Sequence, residues 1–239
     1  MIAHDDIRRL PLGYFTRPPD EPEAGKQIVV AAYLINHPRG LVLFDSGIAA
    51  GLPEVETRYR PVRRPLAEAL HLVGLAPDDV DLVVNCHLHA DHCGGNPAFP
   101  GRPIFAQRRE HEAAHQPDYT APQAVDFRGA RYELLDGEAE ILPGVRVVPT
   151  PGHVDGHQSL VVECDGGPVV LAGQAYNSTS EYSLAQFAWA VREADAGDCP
   201  EWVGRLGELE PSRVLFAHDL AVWEAEPDLG PVRKRAPER

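Results

Sequence analysis

The chain predicts an α/β fold of layered sheets and helices, and three observations carry that expectation. Short apolar runs rich in β-branched residues recur between Gln27 and Ala217, with the length of buried strands. Between them lie stretches whose apolar residues have helical spacing. Chemistry-bearing side chains cluster at the ends of the apolar runs, where open α/β sheets gather their sites.

The elements follow in order. Residues 1–25 are polar and proline-rich and read as an N-terminal arm over the surface. Gln27–Ile35 and Leu41–Phe44 read as a hairpin around His37-Pro-Arg-Gly40. Residues 64–75 have helical periodicity, with Leu66, Leu70, Leu72 and Val73 on one side. Asp81–Asn85 is a short buried strand, and Phe105–Ala114 runs from strand into helix. Val145–Val148 and Gln158–Glu163 are strands, and Asp165-Gly166-Gly167 turns the latter into a strand over Pro168–Ala172. Residues 184–191 and 201–209 read as helices, with Trp189 and Trp202 assigned to the core. The Pro/Arg-rich stretch 230–239 reads as a frayed tail. No linker is visible, so residues 1–239 are expected to form one domain.

Residues 86–96, Cys-His-Leu-His-Ala-Asp-His-Cys-Gly-Gly-Asn, carry the most information. His87, His89, Asp91 and His92 are four metal-capable side chains within a few residues, in a chain with 11 His among 239 residues. A strand running out into a turn lets His87 and His89 grip one ion while Asp91 and His92 face a second. Imidazoles and a carboxylate suit zinc or another first-row divalent ion. His153 follows a Pro-Gly turn, His218 ends the run Val214-Leu-Phe-Ala, and Asp45 ends the run before Ser46-Gly47.

Composition narrows the function classes. Hydrophobic residues are 44% and charged residues 24%, ordinary for a globular protein. A net charge of −14 disfavours nucleic acid and anionic membrane as partners. The N-terminus lacks the plan of a signal peptide, and no apolar run has the length of a membrane span. A cytoplasmic location is expected. Asn177-Ser178-Thr179 fits a glycosylation sequon, which has no meaning without secretion. Cys86 and Cys93 are expected as small buried hydrophobes, with Cys86 pointing away from His87 if residues alternate. Cys164 and Cys199 show no pairing pattern.

Taken together, His87-Leu-His-Ala-Asp-His92, Pro151-Gly-His153, the strand-end His218 and the early Asp45-Ser-Gly47 resemble the metallo-β-lactamase superfamily. Asp91-His-Cys-Gly-Gly-Asn96 with Phe99, and Phe105-Ala-Gln-Arg-Arg-Glu-His-Glu-Ala-Ala114, resemble its N-acyl-homoserine lactone lactonases. The resemblance implies a four-layer αβ/βα sandwich with the site along one edge. It implies a first metal site of His87, His89 and His153, and a second of Asp91, His92 and His218. The residue that bridges the two ions is usually an Asp after a buried strand. Here Gln174 stands there. An amide oxygen lacks the charge that offsets repulsion between two dications, so one or two zinc ions are expected, the second weakly held.

The implied chemistry is hydrolysis of an ester or lactone, by attack of a metal-bound hydroxide on the carbonyl. Asp91 is the expected proton carrier. Tyr176 is the candidate for the oxyanion, although it stands two positions after Gln174 where the family spacing is three, and Tyr182 is the substitute. Asp45 and His157 are expected to orient ligand imidazoles from behind. A lactonase is the leading reading, acting on a small-molecule ester or lactone. A thioesterase or glyoxalase II-like hydrolase is an alternative. A metal-binding scaffold of low activity, motivated by Gln174, is another. The rival motif His111-Glu-Ala-Ala-His115 matches the His-Glu-x-x-His zinc helix, but it lies where the lactonase-like helix belongs. Substrate chain or ring size and oligomeric state are not encoded legibly.

Overall fold

Two β-sheets pack face to face in the computed structural model, which describes residues 2–191 and 200–225. The first half of the chain builds a seven-stranded sheet. Its strands are β1 (Ile7–Thr16), β2 (Gln27–His37), β3 (Gly40–Phe44), β4 (Val62–Arg63), β5 (Leu82–Val84), β6 (Ile104–Gln107) and β7 (Tyr132–Leu135). Their spatial order is β4-β1-β2-β3-β5-β6-β7. The second half builds a six-stranded sheet from β8 (Ala139–Leu142), β9 (Val145–Pro149), β10 (Gln158–Val162), β11 (Val169–Leu171), β12 (Arg213–Leu215) and β13 (Val222–Glu224). That order is β13-β12-β11-β10-β9-β8. Both sheets are mixed: β3, β5, β6 and β7 run parallel, as do β11 and β12, and the other pairs are antiparallel. The helices are α1 (Pro53–Tyr59), α2 (Leu66–His71), α3 (Arg108–Ala113), α4 (Pro122–Val125), α5 (Thr179–Val191) and α6 (Glu201–Glu208).

The central strands are apolar on both faces because both faces are covered. Successive side chains point to opposite sides of a strand. Tyr33, Ile35, Val42, Phe44 and Val84 face the other sheet, where they meet Val147, Leu160 and Leu171. Their neighbours Ala32, Leu34, Leu43 and Val83 face outward onto Leu66 and Leu70 of α2. Val161, Val170 and Val214 of the second sheet face outward onto Tyr182 of α5 and Trp202, Val203 and Leu206 of α6. Helix, sheet, sheet and helix thus form the four-layer αβ/βα sandwich expected. The expected hairpin joins β2 and β3, with His37 opposite Gly40.

Residues 1–25 are not an arm. Ile7–Thr16 pair with β2 along nearly its whole length, and with β4 on the other side. Leu10 and Leu12 are buried in the outer core. The reading failed because Pro11 and Gly13 interrupt the run, and both weaken a strand assignment. The structure accommodates them with a register shift between Pro11 and Gly13. The tail 230–239 and Cys199 lie outside the described residues.

Candidate metal centre

Strands β3, β5, β11 and β12 deliver their following residues to one edge where the sheets meet. Asp45 follows β3, His87 follows β5, Gln174 follows β11 and His218 follows β12. The turn between β9 and β10 adds His153 and His157. Bonds across the sheets fix this edge. Gln158 N–H donates to the Cys86 carbonyl (2.8 Å), Ala31 N–H to the Ala217 carbonyl (2.9 Å), and the Tyr33 hydroxyl to the Phe216 carbonyl (2.8 Å).

The chain after β5 closes into a tight turn, in which the N–H groups of His92 and Cys93 both reach the His89 carbonyl (3.0 and 3.1 Å). The turn carries Asp91 and His92 away from His87 and His89. Gly94 is required beyond it, because a Cβ there would collide with the Ala49 backbone. Two donor groups result. In the first, one nitrogen each from His87, His89 and His153 lies within 4.8 Å of the others. His89 Nδ1 and His153 Nε2 face each other at 3.1 Å. His87 Nε2 is buried with no hydrogen-bond partner among the described residues. In the second group, Asp91, His92 and His218 converge within the same limit. Asp91 Oδ2 lies 3.5 Å from His92 Nε2 and 3.4 Å from His218 Nε2.

Electrostatics separate the groups. Burial pushes the His87 imidazole far below the ordinary range and His153 to about 4, aided by neighbouring imidazoles; His89 is also lowered by burial. Three imidazoles that resist protonation thus bring one nitrogen each to a common point. His218 is pushed by burial to about 4. Burial also opposes charge on His92, but Asp91 and Asp45 outweigh it and raise that group to about 9. Burial would raise the Asp91 carboxyl, but His92, His218 and His89 hold it below its usual range. An unpartnered buried nitrogen is costly, and a divalent ion would satisfy it. The donor set fits zinc or a similar ion.

Gln174 reaches the second group. Its Oε1 lies 3.1 Å from His92 Nε2, and its Nε2 donates to Asn177 Oδ1 (3.1 Å), which turns the amide oxygen inward. Gly173 before it has φ +55, and a Cβ there would collide with Cys86. His157 holds the Gln174 backbone rather than a ligand imidazole: its Nε2 accepts the Gln174 N–H (3.1 Å), and its Nδ1 pairs with Thr150 Oγ1 (2.8 Å). Asp45 does sit behind a ligand. Its Oδ2 lies 3.0 Å from His92 Nδ1, and its Oδ1 accepts the Cys86 N–H (2.8 Å).

Three expectations require correction. Tyr176 does not line the cleft; its ring packs 5.5 Å from Trp202 and 6.2 Å from Tyr182 in the outer core. The turn after Gly173 puts Gln174 and Asn177 on the site side and sends Tyr176 outward. Tyr182 is fully buried, and its hydroxyl accepts a bond from Gln186 (2.7 Å). Cys86 is buried as expected but does not point away from His87: its Sγ lies 3.1 Å from His87 Nδ1.

Residues that sequence reasoning missed complete the site. The metal groups open onto a cleft of about 490 Å³ whose walls include Phe15, Ile28, Ile48, Tyr59, Tyr119 and Asn177. The Tyr119 ring lies 4.8 Å from that of His89. Its hydroxyl donates to Glu110 Oε1 (2.7 Å), which also accepts the Leu88 N–H (2.7 Å) between the two ligand histidines. No sequence signal pointed to Glu110, whose burial and bonds to Tyr119 and Leu88 come from the fold. His111 and His115 join none of the metal-capable groups among the described residues. No helix among the described residues is long and apolar enough to cross a membrane.

A family profile described as the metallo-beta-lactamase superfamily matches residues 25–218. An N-acyl homoserine lactonase of Bacillus cereus is 37% identical over 183 residues, covering 74% of this chain and 70% of that protein. One of Azorhizobium caulinodans is 30% identical over 243 residues, covering 90% and 88%. A solved N-acyl homoserine lactone hydrolase, with the product N-hexanoyl-L-homoserine at its catalytic metal centre, superposes with a TM-score of 0.75 at 26% identity, covering 92% of this chain and 94% of that one.

Proposed function

The chain belongs to the metallo-β-lactamase superfamily, and on that premise we propose that it is a metal-dependent hydrolase that opens the ring of N-acyl homoserine lactones. The observation that carries this reading is the pair of donor groups, His87/His89/His153 and Asp91/His92/His218, on the floor of an open cleft. Zinc is the ion we assign, on the strength of the imidazole-rich donors. When bound it would supply an activated water and polarise the lactone carbonyl.

The chain's own residues do the rest. Asp91 lines the cleft and is ionised, so it takes a proton from the attacking water and returns it to the departing ring oxygen. Asn177 replaces Tyr176 as the donor beside the carbonyl. Its Oδ1 is occupied by Gln174, which leaves its N–H groups free to meet the substrate in the cleft. Phe15, Ile28 and Ile48 provide apolar wall for the acyl chain. The three described cysteines are free thiols, which suits a reducing compartment, and we place the protein in the cytoplasm.

The test is a panel of N-acyl homoserine lactones and acyl thioesters, assayed with zinc-loaded and chelated protein. Metal-dependent lactone opening is expected. Hydrolysis of thioesters alone would replace this reading with the thioesterase one, and metal binding with no hydrolysis of either class would favour the scaffold.

A further inference from the structure

We propose that Cys86 is a positioning residue that accepts the Nδ1–H of His87 and thereby fixes which ring nitrogen His87 offers to a metal ion. The inference rests on the metal site proposed above.

His87 has one nitrogen on each side of the problem. Its Nε2 is buried and has no hydrogen-bond partner among the described residues, and one of its nitrogens belongs to the first donor group. Its Nδ1 lies 3.1 Å from Cys86 Sγ. For Nε2 to present a lone pair, the single proton of a neutral imidazole must sit on Nδ1. That proton then needs an acceptor, and the sulfur is the one in reach. The sulfur, 3.1 Å away, therefore accepts from His87.

The same sulfur lies 3.3 Å from His92 Nδ1, which Asp45 Oδ2 approaches to 3.0 Å. One carboxylate thus sets both halves. It holds His92 directly, while its other oxygen accepts the Cys86 backbone N–H and so places the residue whose sulfur meets His87. The sulfur is wedged in place, since a Cβ on Gly173 would collide with Cys86. Sulfur is a weak acceptor, so the His87 arm is the softer of the two.

The experiment compares wild type, Cys86→Ala and Cys86→Ser by zinc titration calorimetry, with thermal melts of the chelated proteins. Both substitutions remove the volume of the sulfur, and only Ser keeps an acceptor. Loss of about 10–100-fold in affinity for one ion in Ala, with Ser within a few-fold of wild type, is expected for a partner behind a ligand. Equal losses in Ala and Ser would assign Cys86 to packing and overturn the inference, as would an Ala variant that binds zinc like wild type. A wild type that binds no zinc would overturn the metal reading itself. If Ala does not fold, nitrogen-15 histidine spectra of zinc-loaded wild type and Cys86→Ser decide. A His87 Nδ1–H resonance that moves when sulfur becomes oxygen supports the inference, and a His87 without that proton overturns it.

Discussion

Two histidine-dense stretches, residues 86–96 and 108–115, look alike in composition and behave differently in space. The first ends a buried strand, and its His87 and His92 are fully buried with nitrogens facing other donors. The second is the short helix α3 and the turn after it. There His115 is exposed, with Nδ1 donating to the His111 carbonyl (2.6 Å) and Nε2 beside Asp126 (3.2 Å). The His111 ring packs against Tyr132 at 4.6 Å. Both nitrogens of His115 are therefore occupied locally, whereas His87 has one with no partner among the described residues. The difference teaches that spacing proposes a metal site and unpaired, desolvated lone pairs make one. The second stretch still serves the first, through Glu110 on the ligand loop rather than through its histidines.

The largest way to break the comparison is His89→Ala. It should abolish binding at the first donor group and cut lactone hydrolysis by more than about a hundredfold, beyond what loss of an outer partner costs. Full metal content by elemental analysis with normal turnover would refute the assignment. Gln174→Asp should sharpen it in the opposite direction. A carboxylate between two dications lowers their mutual repulsion, so second-ion affinity should rise by about tenfold or more in calorimetry. If wild type already holds two ions as tightly, the charge argument is wrong.

Glu110→Ala tests the link between the stretches. It leaves the Leu88 N–H buried without its acceptor, at a cost of about 1–3 kcal/mol, read by denaturant unfolding of the chelated protein. An unchanged midpoint would mean the loop holds itself. The smallest effect belongs to the double variant His111→Ala, His115→Ala, which should keep its metal. His115 is raised above its ordinary value, first by its bond to the His111 carbonyl and then by Asp126, against burial. A raised folded-state value stabilises below the unfolded value of about 6.5 and is lost as pH rises through the folded one. The single variant His115→Ala should therefore lose more stability at pH 5 than at pH 9, while His111, lowered by burial and by His115, contributes with the opposite sign and offsets this in the double variant. Loss of metal from this variant would restore the helix motif as a site.

What was legible in the sequence was local. The β5 exit and its ligands lie within a few consecutive residues, and the hairpin of β2 and β3 announces itself by alternation around a turn. The walls of the cleft were not legible, because they come from segments that only the fold joins. Phe15 lies on a strand disguised by Pro11 and Gly13, and Tyr119 follows a short helix whose purpose is set by Glu110. Tyr176 failed for a related reason: a one-position change in spacing within a turn reverses the side to which a residue points. Cys86 failed because strand alternation ends where β5 ends, at Val84, two residues before it.

The donors also come from both sheets: His87, His89, Asp91 and His92 from the first, His153 and His218 from the second. An ion held between them is a clasp across the sandwich, so its occupancy enters the folding equilibrium by mass action. Each tenfold rise in free ion above the dissociation constant adds about 1.4 kcal/mol to the folded state. Chelation and unfolding are then two ends of one process, and the cell's free metal level becomes a determinant of how long the protein lasts.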